Sequence, residues 1–289
     1  MPRPNEPSGP HNAPPTGTSD YARSYAILSP MFGFLKEKRR RKLREELFPE
    51  AWSAVLAQNF PLYSRMTEED RTELHGRIHI LLKEKTFEGC DGLELTDEIR
   101  VTIAAQAALL LLHRETDYYP QLHSILVYPE TYVVEAEEVD EVGVVHEFDD
   151  DRSGETWEQG SMILAWDEVL EGGRDLDDDF NVVFHEFAHQ LDLENGEIDG
   201  IPRLESKDHY AKWTKTLMAA FELFRKDVRR RKRTAIDPYA AEDLSEFFAV
   251  SVESFFEQPL RLKKTYPALY QQLSEYFRQD PAAWESFKT

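Results

Sequence analysis

The chain has 289 residues, of which 41% are hydrophobic, enough for a sizeable core in one large domain or two small ones, so disorder throughout is excluded. Its formal net charge of -21 works against binding the phosphate backbone of nucleic acid, and its single cysteine, Cys90, cannot close an internal disulfide. The N-terminal residues lack the apolar core of a signal peptide, and the longest apolar run, 101–112, is too short to span a bilayer, so a cytoplasmic protein without stable membrane insertion is expected.

Residues 1–30 are rich in Pro, Asn, Ser, Gly and Thr and poor in large apolar side chains, a composition that predicts a disordered tail. The folded domain is expected over 31–289, with a helical part to 115 and a second part from 116. Phe32, Phe34 and Leu35 precede a basic run from Lys38 to Arg44, which fits a membrane or partner anchor but better fits a solvated start to the first helix. Thr67 with Asp70 signals a helix to about Lys85, and Thr96 caps a second one through Leu112 with apolar residues on most sides. Between 123 and 166, short β-branched or aromatic runs (HSILVYP, TYVVEAEE, VGVVHEF, SMILAW) separated by Pro, Gly and Asp predict a small, mostly antiparallel sheet. Helices are expected again near 178–193, 206–230, 238–257 and 267–279, with Pro259 and Pro267 as breaks. The order helices, sheet, helices makes an α+β fold.

The segment NVVFHEFAHQLD carries His185, Glu186 and His189 in the spacing HExxH, after Asp177, Asp178 and Asp179, which suit a helix N-terminus. Residues four apart on a helix share a face with Cβ atoms about 5–6 Å apart, so two imidazoles can converge on one ion at roughly 2.0–2.1 Å per bond. Glu186, next to His185, can take a proton from a water whose pKa zinc lowers to about 7. If the two histidines were only core residues, a helix already apolar through Val182, Val183, Phe184, Phe187, Ala188 and Leu191 would bury them without need. His146, in HEFDD, has no second histidine at the fourth position and is expected at a strand end. Asp192 either orients a ligand or is a helix-end charge.

A catalytic zinc needs a third protein ligand, and the best source is DPYAAEDLSEFFAVSVESFFEQP, where Asp237 can cap a helix and Pro238 fits its first position. Glu246 and Glu253 are the acids in its apolar part. Seven residues apart, they share a face about 10 Å apart, so one of them can coordinate, and periodicity does not choose. Glu253 also fits a pairing with Arg or Lys, or an outer role behind the ligands.

These motifs, with FEGCDGLELTDEIRVTIAAQAALLLL (87–112), VYPETYVV (127–134) and YAAEDLSEFFAV (239–250), resemble the Mlc titration factor A family of bacterial zinc peptidases over most of 31–280. A more distant resemblance is to the protease domain of anthrax lethal factor, where a tyrosine stands seven residues before a metal-binding glutamate, as Tyr239 does before Glu246. The resemblance implies a zincin-like metallopeptidase with His185, His189 and Glu246 on one Zn2+ per chain, Glu186 as general base and Tyr239 as donor to the oxyanion. It further implies aminopeptidase-like activity on peptides, a Mlc-like transcriptional repressor as partner, and a substrate groove beside an antiparallel edge strand, for which 159–166 is the candidate. The basic clusters at 38–44 and Arg225 to Arg233 are expected to be solvated or to face the chain's own acidic stretches such as 135–150, so no nucleic-acid partner is expected.

Overall fold

The structure, a computed structural model, describes residues 33–139, 145–152, 154–157, 160–176 and 180–284. The expected tail and Asp177 to Asp179 lie outside the described residues. The chain divides into two units, residues 1–43 and 44–289. In the first, residues 33–43 are helical (α1), and Phe34 and Leu35 are exposed beside the basic run.

The second unit begins with α2 (Glu50–Asn59), α3 (Leu62–Arg65), α4 (Glu68–Glu84), β1 (Thr86–Gly89) and α5 (Asp97–Leu109). Thr67 and Thr96 cap α4 and α5 as their positions predict, accepting from the backbone N–H groups of Asp70 and Ile99. Helix α5 is buried on all sides from Val101 to Leu109, but it ends there, and Leu110 to Leu112 continue as buried turns.

The strands follow: β2 (Ser124–Tyr128), β3 (Tyr132–Val139), β4 (Val145–Arg152), β5 (Gly154–Trp157) and β6 (Ser161–Ala165). They correct the antiparallel expectation. The main sheet has the order β1, β2, β6, β5, with β1 to β2 and β2 to β6 parallel and only β5 to β6 antiparallel. Chain neighbours do not pair here: α5 crosses over between β1 and β2, while β3 and β4 form an antiparallel ribbon of their own, in which His146 stands opposite Glu138. In β6, Met162, Ile163, Leu164 and Ala165 are all buried, the unbroken apolar run of a strand covered on both faces. Strand β6 is therefore internal rather than the edge expected at 159–166. The chain turns at Gly160 (φ 80°), and β5 takes the edge beside it.

The remaining helices are α6 (Trp166–Arg174), α7 (Val182–Asp192), α8 (Lys207–Arg229), α9 (Leu244–Glu257), α10 (Pro259–Thr265), α11 (Pro267–Phe277) and α12 (Pro281–Trp284), with Pro259 and Pro267 each opening a helix. The single helix expected over 238–257 is instead a 3-10 turn, Pro238–Ala241, followed by α9. Asp237 caps the turn and Asp243 caps the helix, accepting from the backbone N–H groups of Ser245 and Glu246, a local bond that competes with helix continuation. Arg225 to Arg229 close α8, where Lys232 pairs with Asp227 at 2.7 Å.

Aromatic packing fixes α7 and α9. Phe187 meets Tyr119 edge to face at 4.7 Å, Phe184 meets Phe256 at 5.3 Å, and Phe248 meets Trp213 at 5.8 Å. All six rings are fully buried, each stabilising the fold by about 1.5–3 kcal/mol relative to exposure. Among the described residues no helix is long and apolar enough to cross a membrane.

Candidate metal centre

Helix α7 places His185 and His189 on the face turned to α9. Its start is held by Asn181, whose side chain accepts from Phe184 N and donates to Gly172 O, so that α6 approaches closely. A Cβ on Gly172 would fall 2.7 Å from Phe180 O. Glu246 reaches the same point from the first turn of α9.

His185 Nε2 and His189 Nε2 are 3.1 Å apart, and Glu246 Oε2 and Oε1 lie 3.1 Å from the first and 3.3 Å from the second. Ligands of a tetrahedral ion bound at roughly 2.0–2.1 Å are separated by about 3.3 Å, so the three groups fit one cation. Glu246 Oε2 is buried and has no well-formed hydrogen bond among the described residues despite its nearness to His185, as suits an atom shaped for a cation. Burial by itself would raise the Glu246 carboxyl, but the two imidazoles hold it well below the usual carboxylate range. For His185, burial opposes the charged form, yet Glu246 and Glu253 on either side push its pKa well above the ordinary value. The site is built to attract positive charge.

The far nitrogens are also engaged. His185 Nδ1 donates to Glu253 Oε1 at 2.8 Å, and the other oxygen of Glu253 accepts from Asn181 N at 2.6 Å. His189 Nδ1 donates to Ser245 Oγ at 3.1 Å, and that hydroxyl donates to Asp192 Oδ2 at 3.2 Å. With each Nδ1 tied to a neighbour, both Nε2 atoms face the gap. Glu253 thus sits behind His185 and, among the described residues, pairs with neither Arg nor Lys. Asp192 acts through Ser245 and also accepts from Gly200 N at 2.7 Å, and burial raises its pKa to about 6. Gly200 has φ 77°, and a Cβ there would lie 2.4 Å from Leu244 O.

Glu186 is buried beside the histidines. The Tyr239 ring lies 6.2 Å from that of His185, 56% exposed, and burial of its other side together with Glu246 and other nearby acids pushes its pKa up to about 12. Two participants escape sequence reasoning: Ser245, whose signal is a hydroxyl next to Glu246, and Asn181, visible only as a helix cap.

Two histidines one helical turn apart, closed by a carboxylate from a second helix, form the donor set of a metallopeptidase. Residues 34–278 match the glucose-regulated metallo-peptidase M90 family, and the chain belongs to it. Among its relatives, an uncharacterized protein, slr2042, of Synechocystis sp. is 37% identical over 244 residues, 84% of this chain and 89% of that protein. Mlc titration factor A of Pectobacterium atrosepticum is 34% identical over 237 residues (81% and 88%), and that of Serratia proteamaculans 36% over 235 (80% and 88%). The family implies a divalent metal, and the residues present fit one.

Proposed function

We propose that the protein is a zinc-dependent, aminopeptidase-like hydrolase of peptides, working in the cytoplasm, with His185, His189 and Glu246 as metal ligands, Glu186 as general base and Tyr239 as oxyanion donor. The observation that carries this reading is the convergence of two Nε2 atoms and one carboxylate at 3.1–3.3 Å, with each imidazole tied back through Nδ1. The HExxH spacing of His185 and His189, completed by one glutamate, is the ligand set of zinc peptidases and supports zinc. Zinc, when bound, supplies Lewis acidity that brings the pKa of water to about 7 and polarises the scissile carbonyl. Glu186 accepts the proton of the attacking water and delivers it to the leaving amine. Tyr239, whose raised pKa keeps the phenol protonated at neutral pH, donates to the carbonyl oxygen as it gains negative charge. The domain carrying this chemistry runs over 31–289, preceded by a tail.

The test is hydrolysis of amino-acid anilides and short chromogenic peptides by wild type and Glu186→Gln at matched zinc content. Activity falling by about 10²–10⁴-fold in the variant supports the assignment. Equal activity in both, or none in either, overturns it.

The relatives named Mlc titration factor A support a second reading that is compatible with the first: the protein binds a Mlc-like transcriptional repressor. Purified repressor from the same host should then bind wild type and Glu186→Gln alike. Absence of binding to either rejects this reading.

A further inference from the structure

The segments that build the metal centre, 181–192 and 237–250, contain no Lys or Arg, whereas the turn from Asp237 to Asp243 adds three exposed acids to Glu186 and Glu246. Two of the three are committed to the backbone. Asp237 Oδ1 accepts from Tyr239 N at 2.8 Å, and Asp243 Oδ1 accepts from Ser245 N at 2.8 Å and Glu246 N at 3.0 Å. The third, Glu242, caps nothing, and among the described residues its exposed side chain makes no hydrogen bond and no ion pair.

Glu242 stands beside the Tyr239 phenol. The 3-10 turn Pro238–Ala241 is prolonged by a bond from Glu242 N to Tyr239 O at 3.2 Å. In such a turn the side chains at i and i+3 eclipse, with Cα atoms about 6 Å apart. Their nearness also shows in the phenol, whose pKa is raised by burial, then by the field of Glu246 and then by that of Glu242. Because the Tyr239 ring lies 6.2 Å from that of His185, a carboxylate next to it borders the approach to the metal ligands.

This arrangement distinguishes the two ends of a peptide. A C-terminal carboxylate finds no Arg or Lys in either segment, while an N-terminal ammonium finds a carboxylate without a partner. We propose that Glu242 is a specificity-determining residue that holds the free α-ammonium of the substrate and so directs cleavage to the first peptide bond. The inference rests on the peptidase reading above, with Tyr239 on the carbonyl oxygen. The α-nitrogen of a peptide is about 2.5 Å from the carbonyl carbon of its first bond. Two side chains that eclipse each other in one turn can therefore hold the carbonyl oxygen and the ammonium together. Acetylation of the amine removes its charge, and with it the charge-assisted bond.

The experiment reads binding apart from turnover. Zinc-loaded, full-length Glu186→Gln and the double variant Glu186→Gln/Glu242→Gln are titrated calorimetrically with L-alanyl-L-alaninamide, its N-acetyl derivative and Nα-acetyl-L-lysyl-L-alaninamide. Glu186→Gln is expected to bind the free-amine peptide at least about ten-fold more tightly than either acetylated one, and the double variant to lose that preference. In the otherwise wild-type protein, Glu242→Gln is expected to raise KM for L-alanine 4-nitroanilide by about ten-fold or more. The proposal is overturned by any of four results: no saturable binding of the free-amine peptide, the N-acetyl derivative binding as tightly, the acetylated lysyl peptide binding as tightly, or the preference persisting in the double variant. Absence of anilide hydrolysis by wild type is a separate result, which removes the peptidase reading and leaves the ammonium contact to be decided by the titrations.

Discussion

Glu253→Gln isolates the contribution of the group behind His185, a proposed metal ligand. The carboxylate uses both oxygens, one accepting from His185 Nδ1 at 2.8 Å and the other from Asn181 N at 2.6 Å. Glutamine has nearly the same volume but only one acceptor oxygen, so one of these donors must lose its partner or His185 must change tautomer. If the amide oxygen keeps Asn181, its NH2 faces His185, which then accepts at Nδ1 and carries its proton on Nε2, the atom that should bind metal. If the oxygen keeps His185, the bond loses its charge assistance. Loss or weakening of one charge-assisted bond is worth about 1.5–3 kcal/mol, which corresponds to a 10–100-fold loss of metal affinity. The assay is competition for Zn2+ between the protein and a chromophoric chelator at neutral pH, with urea unfolding of the apo forms as a control for folding. A folded variant whose zinc affinity stays within about three-fold of wild type would refute the argument that Nδ1 anchoring sets the ligand.

Other substitutions probe separate links. Tyr239→Phe is expected to lower kcat by about 10²–10³-fold on an anilide substrate with zinc content unchanged, and an unaltered kcat removes the phenol from the chemistry. Gly200→Ala places a Cβ 2.4 Å from Leu244 O at φ 77°, so a loss of about 1–3 kcal/mol in urea unfolding is expected. Wild-type stability there would show that the Leu244 backbone can yield. His75 stacks on Phe48 at 3.7 Å and bonds Tyr63 Oη at 2.9 Å, and burial, with His79 and Arg71 nearby, lowers its pKa to about 4. The unfolded chain, with an ordinary value near 6.5, binds the proton first. The contribution of His75 to stability is therefore complete above about pH 6.5 and is lost as the pH falls through about 4. His75→Phe keeps the stack and should lose less melting temperature than wild type between pH 7 and pH 5. An equal loss contradicts the assignment.

The helix bearing His185, Glu186 and His189 was legible because its signal is local: cap, apolar period and ligand spacing fall within one segment. The sheet was not, because strand pairing joins segments far apart in the chain. Thr86–Gly89 is too short and too polar to announce a strand, yet it pairs with Ser124–Tyr128, and that pairing, with Ser124–Tyr128 beside Ser161–Ala165, makes parallel a sheet expected to be mostly antiparallel. The unbroken apolar run Met162 to Ala165 was the available clue that β6 lies inside rather than at an edge. Glu246 and Glu253, seven residues apart, posed a choice that periodicity could not make. The structure employs both, because the two nitrogens of His185 point in different directions, one to each carboxylate. Ser245 had no pattern of its own, since a serine in a first helical turn ordinarily signals only capping.

The bonds tying the two imidazoles to α9 span 68 residues for His185 and 56 for His189, with the whole of α8 between. Individual helices form in about a microsecond, whereas contacts of this range wait for loop closure and docking. The binding pocket for the ion is thus a late product of folding, absent from a chain that has only its secondary structure. A metallochromic dye mixed with refolding protein would therefore time the docking of α9 on α7, separately from the earlier rise in helical circular dichroism.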